Sequence, residues 1–265
     1  MSNEESIEKF KTGILRIGQI EEIPGGGWDV HIRGNLIEAK TAEDLFIVYE
    51  VFYRGIYNYL FKDNAYVIDI GMNIGIASLF FAANDEVQKV YGYEPFRPTY
   101  ERAIENFNRN PIISSKIVPH NYGLLDANKH LQADYSEEIK GSIGIHGIDK
   151  TETAFRENPT TMLETRKEPI VLKRASEELN PIVQAAKEKN IELFMKIDCE
   201  GSEYEILEDL ERESLLKDID VLVMEWHLKG PKDIESALAR SNFRIFSVLP
   251  YHETTGIILA VNRGS

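Results

Sequence analysis

The chain holds a single cysteine, Cys199, in 265 residues, so no intrachain disulfide can form. That usage suits a reducing compartment. Long hydrophobic runs are also missing, and none approaches the roughly 20 residues needed to cross a bilayer. The opening stretch MSNEESIEKFK is acidic and polar, without the apolar centre of a secretory signal. A cytoplasmic location away from any membrane is therefore expected. Positive charge is scarce, since 30 Lys and Arg stand against 44 Asp and Glu, a net charge of −14. Broad nucleic-acid binding rests on neutralising phosphates with basic side chains, so it is not expected, although a small patch for one RNA remains compatible. The chain also lacks the G-x-G-x-x-G turn of dinucleotide-binding folds, which argues against a nicotinamide-dependent oxidoreductase.

What is present is an ordinary globular composition, 43% apolar and 28% charged, in a length that fits one large α/β domain with additions. The organising stretch is Tyr66 to Ala77, YVIDIGMNIGIA. Its apolar, β-branched start has no polar alternation, which predicts a strand buried on both faces. Gly71 and Gly75 then bracket a tight turn before a helix that begins at Ile76. Asp69, ahead of the first glycine, would repel a pyrophosphate but can accept from a ribose hydroxyl or attract a cation. The D-x-G-x-N-x-G pattern through Asn73 resembles the first motif of class I methyltransferases, whose ligand S-adenosylmethionine is cationic and carries no phosphate.

Residues 1–62 are expected to form an N-terminal hairpin and helix, and 63–265 the main domain. Residues 1 to about 11 look frayed. Two β-like stretches, 14–23 and 28–37, flank the Pro24-Gly25-Gly26-Gly27 turn. Thr41, with Asp44 three residues on, predicts a capped helix to about Leu60. Its aromatics suit the core, and Tyr53 and Tyr57, one helical turn apart, can close over a ligand.

Beyond the glycine turn, strand and helix alternate. A strand over 89–93 ends in Glu94-Pro95. Glu94 stands roughly 20 residues past the turn, where an acid can accept from both ribose hydroxyls. A third strand, 116–119, leads to Asn121. From 126 to 169 the alternation fails, and this segment is expected to be an insertion that covers the cleft as a substrate lid, with His146 a candidate substrate contact. Helix is expected from Pro181, strands over 193–197, 219–224, 243–248 and 256–261, and helices over 203–210 and 232–240.

The string Met195-Lys196-Ile197-Asp198-Cys199-Glu200-Gly201-Ser202-Glu203, followed by Glu225-Trp226-His227 at the next strand end, closely resembles the hallmark of FkbM-type methyltransferases, K-I-D-x-E-G-x-E. With the glycine turn and Glu94, the resemblance spans residues 66–261 in order. It implies a Rossmann-like α/β fold with a seven-stranded, mostly parallel sheet, helices on both faces, and methyl transfer to hydroxyl oxygens. It also implies that Asp69, Gly71, Asn73, Gly75, Ile76, Glu94, Pro95, Asn121 and Asp198 hold S-adenosylmethionine or its product S-adenosylhomocysteine, with Asn121 beside the adenine. The acceptor would be a small hydroxylated molecule such as a sugar, polyketide or lipid-like compound. Nothing in the sequence indicates an oligomeric state.

For the chemistry, His227 is the base best matched by intrinsic pKa, with Asp198 and Glu200 as alternatives. Glu203 and Glu225 can equally cap a helix or pair with Lys196. The preferred reading uses no metal. In the alternative, Asp198, Glu200, Glu225 and His227 ligate a divalent ion that lowers the acceptor's pKa. A third possibility, a non-catalytic binding protein on the same fold, sits poorly with intact Asp69, Gly71 and Glu94.

Overall fold

The computed structural model describes residues 3–148, 164–251 and 253–264. The chain begins with α1 (Asn3–Ile14), three strands β1 (Gly18–Glu22), β2 (Trp28–Ile32) and β3 (Asn35–Ala39), and α2 (Ala42–Val48). The central sheet begins in the next stretch, with β4 (Ala65–Ile70), α3 (Ile76–Ala82), β5 (Val87–Tyr93), α4 (Arg97–Asn108), α5 (Pro111–Ser114) and β6 (Ile117–His120). Next come β7 (Gly123–Leu125), β8 (Lys129–Tyr135), β9 (Ile143–Gly144), β10 (Gly147–Ile148) and β11 (Arg166–Arg174). The chain then finishes with α6 (Ala175–Lys189), β12 (Glu192–Ile197), α7 (Glu203–Arg212), β13 (Val221–Trp226), α8 (Lys232–Arg240), β14 (Phe243–Pro250) and β15 (Gly256–Asn262).

Seven strands form the central sheet in the order β14-β15-β13-β12-β4-β5-β6. All pairings from β13 to β6 are parallel, and β15 pairs antiparallel with both β13 and β14. All six residues of β4 and of β12 are buried, as expected of strands covered on both faces. Alternate side chains serve two cores. Val67, Phe194 and Val223 pack with α2 and α3 through Leu45, Leu79 and Phe81. Ile68, Met195 and Met224 pack with α6, α7 and α8 through Val183, Leu207 and Leu238. Each fully buried side chain of this size contributes about 1.5–3 kcal/mol of transfer free energy. The order reverses between β4 and β12, and in such sheets ligands bind beyond the carboxyl ends at that point.

Several expectations need correction. Of the stretch expected to be frayed, residues 3–11 are helical, because Phe10 and Ile14, one turn apart on α1, are buried and Phe10 packs on Phe46 and Tyr49 at 5.1 and 5.3 Å. The N-terminal β element has three strands rather than two. Arg33 (φ 46°) and Gly34 (φ 78°) are both left-handed, the signature of a two-residue hairpin turn, and they split the expected 28–37 strand. The aromatic helix starts at the Thr41–Asp44 capping box as expected, but after α2 it widens to a π-turn over Tyr49–Arg54 and ends at left-handed Gly55. The insertion is less irregular than its composition suggests, since β11 pairs antiparallel with β8 and parallel with β7. Residues 149–163 of the expected lid lie outside the described residues. Pro181 starts no new helix and stands inside α6.

Candidate active site

At the switch point the chain must turn sharply twice in close quarters. Gly71 follows β4 with φ 78°, and a Cβ there would lie 1.8 Å from the Asp198 carbonyl oxygen. Glycine is therefore obligatory for the two strand ends to touch. Asn73 is also left-handed, at φ 50°, and its Oδ1 accepts from the Ile74 N–H at 2.7 Å.

Glu94, just past β5, is buried, and its two oxygens accept from the backbone N–H groups of Asn73 (3.2 Å) and Phe96 (2.9 Å). Burial outweighs those bonds and raises its pKa to about 7. Asn121 donates its amide to the Glu94 and Pro95 carbonyl oxygens at 3.0 and 3.4 Å. It braces that corner and is not among the residues lining the cavity.

The two halves meet through Lys196. Lys196 and Asp69 are register partners on β12 and β4, which sets their side chains together in the core at 3.1 Å. The ammonium also donates to the Gly71 carbonyl oxygen at 2.6 Å and lies 3.7 Å from Asp198 Oδ2. Burial disfavours its charge, but Asp69 and then Asp198 outweigh burial and raise its pKa. Asp69 is fully buried, accepts from Ser78 Oγ at 2.6 Å, and does not line the cavity. The ion pairs of Lys196 are with Asp69 and Asp198, and Glu203 is engaged by His227 instead.

The cavity of about 140 Å³ lies between these strand ends. Its wall includes the apolar Pro95, Phe96, Leu124, Leu172 and Ile143 and the acidic Asp198, Glu200 and Glu225. Gly71, Asn73, Ile76 and Glu94 also line it. Gly75 does not; it holds a left-handed turn (φ 83°) against the Phe107 ring. Tyr57 lines the cavity and donates to Asp198 Oδ2 at 3.1 Å. Its phenol pKa is pushed well up by burial and then by Asp198. Tyr53 instead stacks on Tyr49 at 5.2 Å, outside the cavity.

Glu203 opens α7, but its main work is on the preceding turn. Oε1 accepts from the N–H groups of Cys199 (3.2 Å) and Gly201 (3.1 Å) and pairs with His227 Nδ1 at 2.9 Å. The turn carries Glu200 at φ 57°, an uncommon conformation for a side chain of this size. His227 is buried, with Nε2 facing Glu200 at 3.6 Å and Glu225 at 3.8 Å. Burial alone would lower its pKa, but Glu200, Glu203 and Glu225 together raise it to about 11. At neutral pH the imidazole is therefore charged, and it does not line the cavity. This geometry does not suit the free-base role expected of it. Asp198, Glu200 and His227 have ligand atoms within 4.8 Å of one another.

Two contributors escaped the sequence reading. Lys140, from the insertion, is fully buried, lines the cavity and lies 2.5 Å from Asp44 Oδ1 and 3.7 Å from Glu43. The neighbouring Gly141 N–H donates to Glu43 Oε2 at 3.0 Å. A lysine in a polar segment gives no sign of such a partner. Lys196 sat inside a recognised motif, and only strand register reveals its pairing. His146 is 3.6 Å from Glu205 and outside the cavity lining. Among the described residues, no helix is long and apolar enough to cross a membrane.

Comparison with known proteins adds sequence likeness. The family model described as the methyltransferase FkbM domain matches residues 69–245. Methyltransferase 1 of Beauveria bassiana is 24% identical over 231 residues, covering 85% of this chain and 85% of that protein. Methyltransferase sdnD of Sordaria araneosa is 26% identical over 216 residues, covering 77% and 83%. Among solved structures, methyltransferase FkbM from Methylobacillus flagellatus aligns with a TM-score of 0.45 at 16% identity, over 96% of this chain and 59% of that one.

Proposed function

The chain belongs to the FkbM family of methyltransferases, and from that premise we propose that it transfers a methyl group from S-adenosylmethionine to a hydroxyl oxygen of a small molecule or sugar. The observation that carries this reading is the cavity shared by the ends of β4, β5 and β12, whose lining combines the apolar Phe96, Leu124 and Leu172 with the carboxylates of Glu94, Asp198, Glu200 and Glu225. Its lining includes two cationic side chains, Lys140 and Lys196, both committed to buried acids. Such a wall suits a donor that is cationic and free of phosphate. When bound, S-adenosylmethionine supplies an electrophilic methyl on a positively charged sulfur.

Glu94 accepts from the ribose hydroxyls, a role its buried position at the strand end fits. Asn73, Ile76 and Pro95 flank the nucleoside, while Gly71 and Gly75 shape the turn that carries them. Phe96, Leu124 and Leu172 would hold the adenine, and Asn121 would act on it only by holding the Glu94–Pro95 corner. Asp69 keeps Lys196 charged, and Lys196 in turn positions the Gly71 carbonyl and Asp198 at the methionine end.

In-line displacement needs the acceptor oxygen aligned with the methyl group, and fixed orientation supplies several kcal/mol of the barrier. Transfer would form the oxygen–carbon bond as the sulfur–carbon bond breaks, leaving S-adenosylhomocysteine. The hydroxyl proton passes to a cavity carboxylate, with Asp198 and Glu200 best placed, because imidazolium His227 has no free lone pair to receive it. His227 then serves as a counter-charge beside Glu200 and Glu225. Strand β9 and the turn before it cover the cavity and exclude water. The acceptor is a hydroxylated sugar, polyketide or lipid-like molecule, and the acidic surface disfavours nucleic acid.

Calorimetry with S-adenosylmethionine, S-adenosylhomocysteine and NAD, followed by methyl transfer to a panel of hydroxylated acceptors, tests this. Tight S-adenosylhomocysteine binding with no NAD signal is expected. NAD binding, or silence with all three, would overturn it.

A further inference from the structure

We propose that Asp198, Glu200 and His227 form a binding site for one divalent cation of the Mn²⁺ or Mg²⁺ type, open on one side to the cavity. The three ligands come from two neighbouring strand ends, Asp198 and Glu200 following β12 and His227 following β13. Their candidate ligand atoms lie within 4.8 Å of one another.

The orientation of His227 supports a ligand role. Its side chain is only 3% exposed, and Nδ1 is engaged by Glu203 at 2.9 Å. That bond fixes the ring, as a carboxylate behind a metal-bound histidine does. Nε2 is thereby aimed at the acids, yet the oxygens of Glu200 and Glu225 stand at 3.6 and 3.8 Å, beyond hydrogen-bond reach. Two ligands sharing one ion at roughly 2.1 Å each are separated by about 3 to 4 Å. The gap around Nε2 is therefore too long for a direct bond and suitable for a bridged one.

The ligand chemistry narrows the ion. Two carboxylates with one imidazole, and no thiolate aimed at the cluster, suit a hard or borderline cation. Cys199, in the same turn, is not among the clustered ligand atoms. Asp198 and Glu200 both line the cavity, so the ion would have protein ligands behind it and an open position in front.

The consequence for chemistry rests on the methyl-transfer reading. An acceptor hydroxyl entering the open position would have its pKa lowered by the ion, and its proton would pass to Glu225 on the cavity rim. Binding of the ion itself does not depend on that reading.

The test is titration of the full chain, stripped with a chelator, with Mn²⁺, followed by the loss of the free-ion paramagnetic resonance signal and by calorimetry. One Mn²⁺ per chain is expected, competed by Mg²⁺. His227→Gln and Glu200→Gln, each checked for native circular dichroism, should each weaken Mn²⁺ binding on the order of tenfold or more. Two variants at different strand ends guard against one that fails to fold. No stoichiometric uptake at millimolar Mn²⁺, or uptake unchanged in both folded variants, would overturn the site. Methyl transfer that survives chelation without Mn²⁺ uptake would remove the ion and leave the methyltransferase standing. Stoichiometric Mn²⁺ uptake without S-adenosylhomocysteine binding would do the reverse.

Discussion

The ammonium of Lys140 lies 2.5 Å from Asp44 Oδ1, with both side chains fully buried. A residue of the insertion is thereby anchored to the first turn of a helix that also lines the cavity. Asp44 also caps that helix by accepting from the Thr41 N–H, so one carboxylate serves the cap and the cover together.

Lys140→Met should cost about 3–5 kcal/mol in urea unfolding, because it strands a buried carboxylate. Arg102, at 3.4 Å from Asp44, keeps the loss toward the lower figure. Burial raises the Asp44 pKa, but Lys140 and Arg102 outweigh it and set it below the ordinary 3.8. Its contribution is thus complete above pH 3.8 and fades as pH falls through the lower folded value. Lys140 is shifted upward despite burial, by Asp44 and Glu43, so its share is complete below its ordinary 10.5 and fades only in stronger base. The wild-type excess over the variant should stay flat from about pH 4 to 10. An excess that changes near pH 7 would contradict the pairing.

Glu94 predicts opposite pH trends for folding and binding. Its folded pKa of about 7 lies above the ordinary 4.5, so the native state holds this proton more tightly than the unfolded chain. Stability from this group is greatest below pH 4.5 and declines as pH rises to 7. S-adenosylhomocysteine selects the ionised form, so its affinity should rise roughly tenfold between pH 6 and 8. Glu94→Gln should weaken binding and remove that slope in calorimetry. A retained slope would place the titrating group elsewhere.

Lys196→Met should destabilise the fold by about 3–5 kcal/mol, since Asp69 is 0% exposed and loses its counter-charge. Adding Asp69→Asn should recover part of that loss, so a double-mutant cycle should show coupling of 0.5–3 kcal/mol. Simple additivity would mean the two side chains do not act as a pair.

Glu200→Gln should lower turnover by about 10²- to 10⁴-fold, with S-adenosylhomocysteine affinity nearly unchanged. A normal turnover number would remove Glu200 from the acceptor chemistry.

The sheet was the most legible part of the sequence. The runs around Ile68 and Met195 lack polar alternation because both faces are covered, and helix α8 was expected over the residues where it forms. Helix α1 was not legible, since Phe10 and Ile14 are too sparse to mark a helix until Phe46 and Tyr49 give them a surface to cover. The pairing of β8 with β11 was hidden in the same way, because strands separated by residues 136–165 contribute no local pattern.

By itself the sequence determined which residue types stand at the strand ends, because a buried parallel strand must be apolar and must terminate where a polar residue or glycine appears. Only the tertiary structure decided what each acid does. Asp69 is neutralised by a lysine on the adjacent strand, Glu203 is absorbed by backbone N–H groups and His227, and Glu94, Asp198 and Glu200 are left to face the cavity. That sorting depends on cross-strand register and depth of burial, quantities that arise only when distant segments are brought within a few ångströms.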